Sequence, residues 1–155
     1  MLVEVKAKVS WKIDDKIKKK AETYIIDVEF FADAEYTVTA LLHGYQEEGT
    51  VEDFEIQGLK LSSVREIISQ YQGEYSFIAT LRDTVHLDDG AEKTIKYKVL
   101  LWANTIADAM TNVREIISQG YDMQIDSLKE VNYTHLTHVD NGERETTENQ
   151  LSAGA

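Results

Sequence analysis

Lysines crowd one short stretch of the chain. Residues 16–20 read KIKKK, so Lys16, Lys18, Lys19 and Lys20 follow directly on the acidic pair Asp14-Asp15. A second set, Lys93, Lys96 and Lys98, follows a second acidic pair, Asp88-Asp89. Ammonium groups at this density suit phosphate or carboxylate oxygens through charge-assisted hydrogen bonds. An aromatic side chain such as Tyr97 or Trp102 offers a face on which a base can stack. Together with Arg82 these residues are the candidate site for a small anionic, nucleotide-like ligand. The competing reading is plainer. Lysines along exposed strands guard edges and keep a chain soluble, and Trp11 and Trp102 suit a core or an interface.

Other chemistry is thin. The pairs Asp14-Asp15 and Asp88-Asp89 offer carboxylates for acid–base work or Mg²⁺, but short acidic pairs between strands ordinarily serve as turns. His135 and His138 form H-x-x-H, a metal-ligand spacing on a helix. They lie in the Thr-rich NYTHLTH with no third ligand nearby, so no metal is assigned. His43 falls near an expected helix C-terminus, where it suits the dipole, and His86 falls on the polar face of a strand. Gly49 and Gly58 are isolated, so there is no glycine-rich phosphate loop. The chain has no Cys, which removes disulfides, thiolate metal sites and cysteine nucleophiles. No catalytic residue and no cofactor is implied.

The elements that must carry these residues are legible from periodicity. Leu2 to Ile13 alternates, with Val3, Val5, Ala7, Val9, Trp11 and Ile13 on one face, as in a half-buried strand. The acidic pair and the lysines are expected in the hairpin connection, and residues 23–31 in the returning strand. ADAEYTVTALLHGY then places Ala34, Val38, Leu41 and Leu42 on one helical face, with Gly44 as the expected terminator. A third strand spans 54–61. The second half repeats this order. A strand runs through residues 73–87 with Tyr75, Phe77, Ala79 and Leu81 on one face, and DDGAEK makes the connection. TIKYKVLLW returns, and a helix follows with Ile106, Ala109, Met110, Val113, Ile116 and Ile117 inward. Thr105 and Asp108 supply its N-cap and Gly120 its end. A strand begins at Met123.

Matching landmarks in the two halves lie between 69 and 76 residues apart. The expected fold is therefore α+β: two pseudo-symmetric ββαβ units, 1–61 and 73–136, in one duplicated domain with mainly antiparallel sheet. A connection at 62–72 joins them, and a polar tail over 137–155 is expected to be disordered. The repeated heptamer VREIISQ, at Val64–Gln70 and Val113–Gln119, is 49 residues apart and out of register with this duplication. Its second copy ends the long helix. Its first copy, with Ser63 and Glu66 as a capping box, predicts a short helix in the connection.

Two stretches carry a family resemblance. Glu22-Thr-Tyr24-Ile-Ile-Asp27 followed by Phe31-Ala-Asp33-Ala34-Glu35 resembles the signature E-x-Y-L-V-D-A-x-x-F-T-E-A-E. Asp89-Gly90-Ala-Glu92-Lys93 is similar to the same family's acidic, glycine-containing hairpin. The family is an uncharacterised domain of Bacteroidetes and their phages, and the resemblance covers roughly residues 3–136. The departures are Val28, where Ala is usual, and Ala32, where Thr would cap the helix. The resemblance implies a bacterial or phage origin and a small cytoplasmic protein, in the host cytoplasm if phage-encoded. It carries no catalytic residue.

Charge and composition narrow the partners. The 155-residue chain has 28 carboxylates against 16 basic residues, a net −12. Residues 1–20 alone are net +4, which leaves −16 for the remainder. An acidic body disfavours the nucleic-acid backbone. No run approaches the roughly 18 apolar residues of a membrane span. Internal symmetry and free strand edges suit a homo-oligomer. Three functional readings follow. The first is a non-enzymatic sequesterer of an anionic signalling ligand, the second an acidic protein-binding module or inhibitor of a host protein, and the third an unrecognised hydrolase using the Asp pairs.

Overall fold

The computed structural model describes residues 1–119 and 123–137. In chain order the elements are β1 (Leu2–Ile13), β2 (Lys16–Asp27), α1 (Phe31–Glu47), β3 (Val51–Leu61), β4 (Val64–Ile68), β5 (Tyr75–His86), β6 (Glu92–Ala103), α2 (Ile106–Ser118), β7 (Met123–Val131) and β8 (Tyr133–Thr137). The fold is α+β with two four-stranded mixed sheets, ordered β3-β1-β2-β8 and β4-β6-β5-β7. The chain divides into two compact units. One holds Met1–Ser62 and the segment from Tyr133, the other Ser63–Asn132.

In the first unit, β1 and β2 pair antiparallel in a continuous register from Leu2↔Asp27 to Ile13↔Lys16. The connection is therefore only Asp14-Asp15. Both residues have positive φ, 50° and 63°. This is the mirror-image turn whose twist matches the flanking strands, and Asp tolerates it better than most residues. The lysines expected at the tip are instead part of β2, because so short a turn lets pairing begin at Lys16. The alternation of β1 then does what the pattern predicts. Val3, Val5, Ala7 and Val9 are fully buried and pack with Tyr24, Ile26, Ala34, Val38 and Leu42.

Helix α1 runs past its expected end. Gly44 lies inside it, and the terminator is Gly49, whose φ of 82° suits the residue after a helix cap. The extra turn sets Tyr45 against Trp11, with ring centroids 5.7 Å apart. That packing outweighs the roughly 1 kcal/mol that an interior glycine costs a helix. The start also differs from expectation. Phe30 occupies the cap position and provides no side-chain cap.

The second unit uses β5 and β6 as its central hairpin, with Phe77, Ala79, Leu81, Val99, Leu101, Ala109 and Val113 in its core. The Thr105 hydroxyl accepts the Asp108 backbone N–H at 3.1 Å, the expected cap of α2. Ile106, expected inward, is 56% exposed, since it stands in the first turn beyond the buried stripe. Thr137, expected to open the disordered tail of 137–155, ends β8 instead; the rest of that tail, and Gly120, the expected terminator of α2, lie outside the described residues.

The connection at 62–72 is not a helix. Its VREII forms β4 and pairs in parallel with β6. β8 likewise pairs in parallel with β2, so residues 133–136 complete the first sheet and not the second. Each sheet therefore has the same arrangement: a central hairpin, the post-helical strand beside its first strand, and a short parallel strand beside its second.

Candidate functional site

The register of β1 and β2 decides where the lysines go. Residues directly opposite in an antiparallel pair share a face, and successive residues alternate faces. Trp11 stands opposite Lys18, Val9 opposite Lys20 and Ile13 opposite Lys16. Lys16, Lys18 and Lys20 therefore share a face with Trp11, spaced about 7 Å apart along the strand. Lys19 stands opposite Ser10 on the other face, with Lys6, Lys8 and Lys12.

Trp11 is held in place from two sides. Its indole N–H donates to Glu22 Oε1 at 2.8 Å, and its ring meets Tyr45 of α1. The other Glu22 oxygen accepts the Tyr24 hydroxyl. Burial pushes the Tyr24 hydroxyl far above the ordinary tyrosine range, and the Glu22 carboxylate beside it adds to the shift. Burial also raises Tyr45, with Glu48 and Glu22 contributing. Glu22 is thus occupied by two donors. Lys16, Lys18, Lys19 and Lys20 are exposed, and none has a carboxylate within ion-pair distance among the described residues. The result is a strip of unpaired ammonium groups beside an indole fixed by its own hydrogen bond.

The second unit does not match this. Asp126 sits 3.5 Å from Arg82 and 3.3 Å from Lys96, so both cations already have a partner. Arg82 also donates to Gln124. In β6 the alternation puts Lys93 and Tyr97 on one face and Lys96, Lys98 and Trp102 on the other. Tyr97 hydrogen-bonds the Met123 sulfur, and the Arg65 guanidinium lies 5.0 Å from its ring centroid. The second set of sequence candidates is therefore split between two faces, because their spacing in the chain mixes odd and even positions.

The Asp pairs lie in turns. Asp14 and Asp15 form the first hairpin, and the Asp89 carboxylate accepts the Ala91 backbone N–H at 2.9 Å in the second. His43 lies 3.2 Å from Gln46 and packs edge-on against Phe54, and His86 sits 3.5 Å from Glu92. His135 is in β8. Burial lowers its pKa, partly opposed by Asp27. His138 lies outside the described residues. Among those described, no three His, Cys, Asp or Glu side chains group as metal ligands.

Sequence reasoning missed two clusters. The first is Trp11–Glu22–Tyr24–Tyr45. A two-residue turn at Asp14-Asp15 implies the pairing of 11 with 18, so the turn length was the available signal. The second surrounds Glu4, which is 4% exposed. Ser62 Oγ donates to its Oε2 at 2.6 Å, and the Tyr133 hydroxyl to its Oε1 at 2.8 Å. Lys60 stands 4.0 Å away. Burial, with the Glu4 hydrogen bond and charge, pushes the Tyr133 hydroxyl up to about 12. Nothing in the local pattern marks Glu4, since its donors come from distant strand ends.

These features define a small α+β protein on two mixed sheets, with exposed lysines beside a half-buried tryptophan on one strand face. Among the described residues, no helix is long and apolar enough to cross a membrane. Residues 3–139 match the family described as a domain of unknown function, DUF4494, and the chain belongs to that family. No curated protein and no solved structure matches it.

Proposed function

We propose that this protein is a non-enzymatic binder that sequesters a small anionic, nucleotide-like ligand on the outer part of the β1–β2 hairpin. The observation that carries this reading is the face shared by Trp11, Lys16, Lys18 and Lys20, whose ammonium groups are unpaired in a chain of net −12. The lysines receive phosphate oxygens, and the oriented Trp11 indole stacks the base. Arg82, Lys93, Lys96, Lys98, Tyr97 and Trp102 are secondary candidates, since Asp126 and the alternation of β6 divide them. The matching strand arrangement of the two sheets supports descent from a duplicated, pseudo-symmetric unit. A homo-oligomer in the bacterial or phage-infected cytoplasm completes the reading.

The test is calorimetry with mono-, di- and cyclic nucleotides on the wild type and on Lys16→Glu/Lys18→Glu/Lys20→Glu. The part of the binding that depends on the phosphate should be lost in the triple variant with its circular dichroism unchanged, and retained in Lys19→Glu, whose charge lies on the opposite face. It should also weaken as salt rises. Equal binding by wild type and triple variant, or binding by neither, overturns the proposal. Native mass spectrometry of the same samples reads the oligomer.

A further inference from the structure

A cleft of about 340 Å³ opens in the unit formed by Ser63–Asn132. It lies between the β4–β5 loop and the first two turns of α2. β4 and β6 run parallel, and the chain following each carboxyl end enters the cleft, at Gln70 and at Asn104. Crevices outside the carboxyl ends of parallel strands are recurrent ligand sites, and this volume falls near the lower end of the roughly 300–1,000 Å³ typical of small-ligand pockets.

The lining has a consistent chemistry. Gln70, Gln72, Asn104 and Asn112 each bring a carboxamide, which presents a donor beside an acceptor. Asn104 is oriented, because its Oδ1 accepts the Glu74 backbone N–H at 3.0 Å and leaves its NH₂ free to donate. Tyr71 lines the cleft while packing against the core of this unit, and its buried hydroxyl has no hydrogen-bond partner among the described residues, so a residue of the wall carries unmet polar capacity. Among the described residues no Lys, Arg or His lines the cleft, and Asp108 does. Thr105 already occupies an N–H at the start of α2. A phosphate therefore has no cation to meet there.

We propose that this cleft binds a neutral nucleobase, free or as a nucleoside, by its hydrogen-bonding edge. Carboxamides match the paired donors and acceptors of a base edge, Asp108 accepts from an exocyclic amine, and the Tyr71 ring offers an apolar wall. This site is independent of the lysine face.

The test uses the full chain, with adenosine, guanosine, cytidine and uridine titrated in turn and followed by amide NMR and calorimetry. At least one should saturate, with shifted resonances concentrated at 70–72, 103–104 and 108–112. Asn112→Leu and, separately, Gln70→Leu in the loop should each weaken it about tenfold, as expected when a site loses a polar contact. The lysine triple variant should bind the nucleoside unchanged, so failure of one site is distinguishable from failure of the other. No saturable shift with any of the four, shifts centred elsewhere, or full affinity in both Leu variants overturns the proposal. A gain of about tenfold or more from a 5′-phosphate rejects the neutral-ligand assignment.

Discussion

Removing the Tyr133 hydroxyl tests the buried polar cluster around Glu4 in the first unit. Glu4 is 4% exposed, and its two oxygens are held by Ser62 and Tyr133 at 2.6 and 2.8 Å. Ser62 is the last residue before the chain leaves this unit, and Tyr133 is the first on its return. One carboxylate on β1 thus anchors both crossing points. A hydrogen bond to a charged group contributes about 1.5–3 kcal/mol, and leaving a buried charge short of a donor costs in the same range. Lys60, at 4.0 Å and with its side chain 73% exposed, compensates weakly. Tyr133→Phe should therefore destabilise the first unit by about 2 kcal/mol, and Ser62→Ala by a similar amount. In a Glu4→Leu background the charge is gone, and Tyr133→Phe should then cost under about 0.5 kcal/mol. The assay is urea unfolding followed by tryptophan fluorescence. Trp11 reports the first unit and Trp102 the second, so a Trp102→Phe background isolates the relevant transition. Equal losses for Tyr133→Phe with and without Glu4 would refute the reasoning, because the coupling energy would then be zero.

Three further outcomes are expected. A Cβ at Gly73 would fall 2.3 Å from the backbone C and Cα of Ala103, so Gly73→Ala should cost about 1–3 kcal/mol or more by overpacking; Gly58→Ala, with nothing within 4 Å, should be neutral or stabilising in the same urea titration. Asp15 sits at φ 63°, so Asp15→Gly should stabilise the hairpin by about 1 kcal/mol and raise the melting temperature. Burial holds the His135 pKa below its usual 6.5, so the unfolded chain takes up this proton first. Stability should fall as pH drops below 6.5 and level off once the folded-state pKa is passed, and His135→Gln should remove that slope in unfolding titrations between pH 7 and 5.

Much of the scaffold was legible because period and packing coincide. The alternation of β1 from Val3 to Val9, the stripe Ala34–Val38–Leu42 and the Thr105 cap are local patterns that appear as expected, while Ile13, at the hairpin end, is exposed and Glu4, expected on the polar face, is buried. The candidate site was less legible. That four lysines cluster is visible in the chain, but which of them join Trp11 depends on strand register, and register depended on a turn of two residues. Arg82 and Lys96 carried no warning that Asp126, from a third strand, would neutralise them.

The heptamer VREIISQ marks the boundary between the two kinds of information. Its residues determine, in either copy, that Val and the two Ile must find apolar cover, and Val64 and Val113 are both buried. They do not determine the backbone. At 113–119 the segment extends a helix already nucleated behind the Thr105 cap, so Val113, Ile116 and Ile117 fall on one face. At 64–70 no helix precedes it, and nucleating one over so few residues is unfavourable. The open edge of β6 satisfies the backbone instead, with Val64 and Ile68 buried. The amino acids set which side chains are covered; the partner waiting in three dimensions decided whether a helix or a strand would cover them.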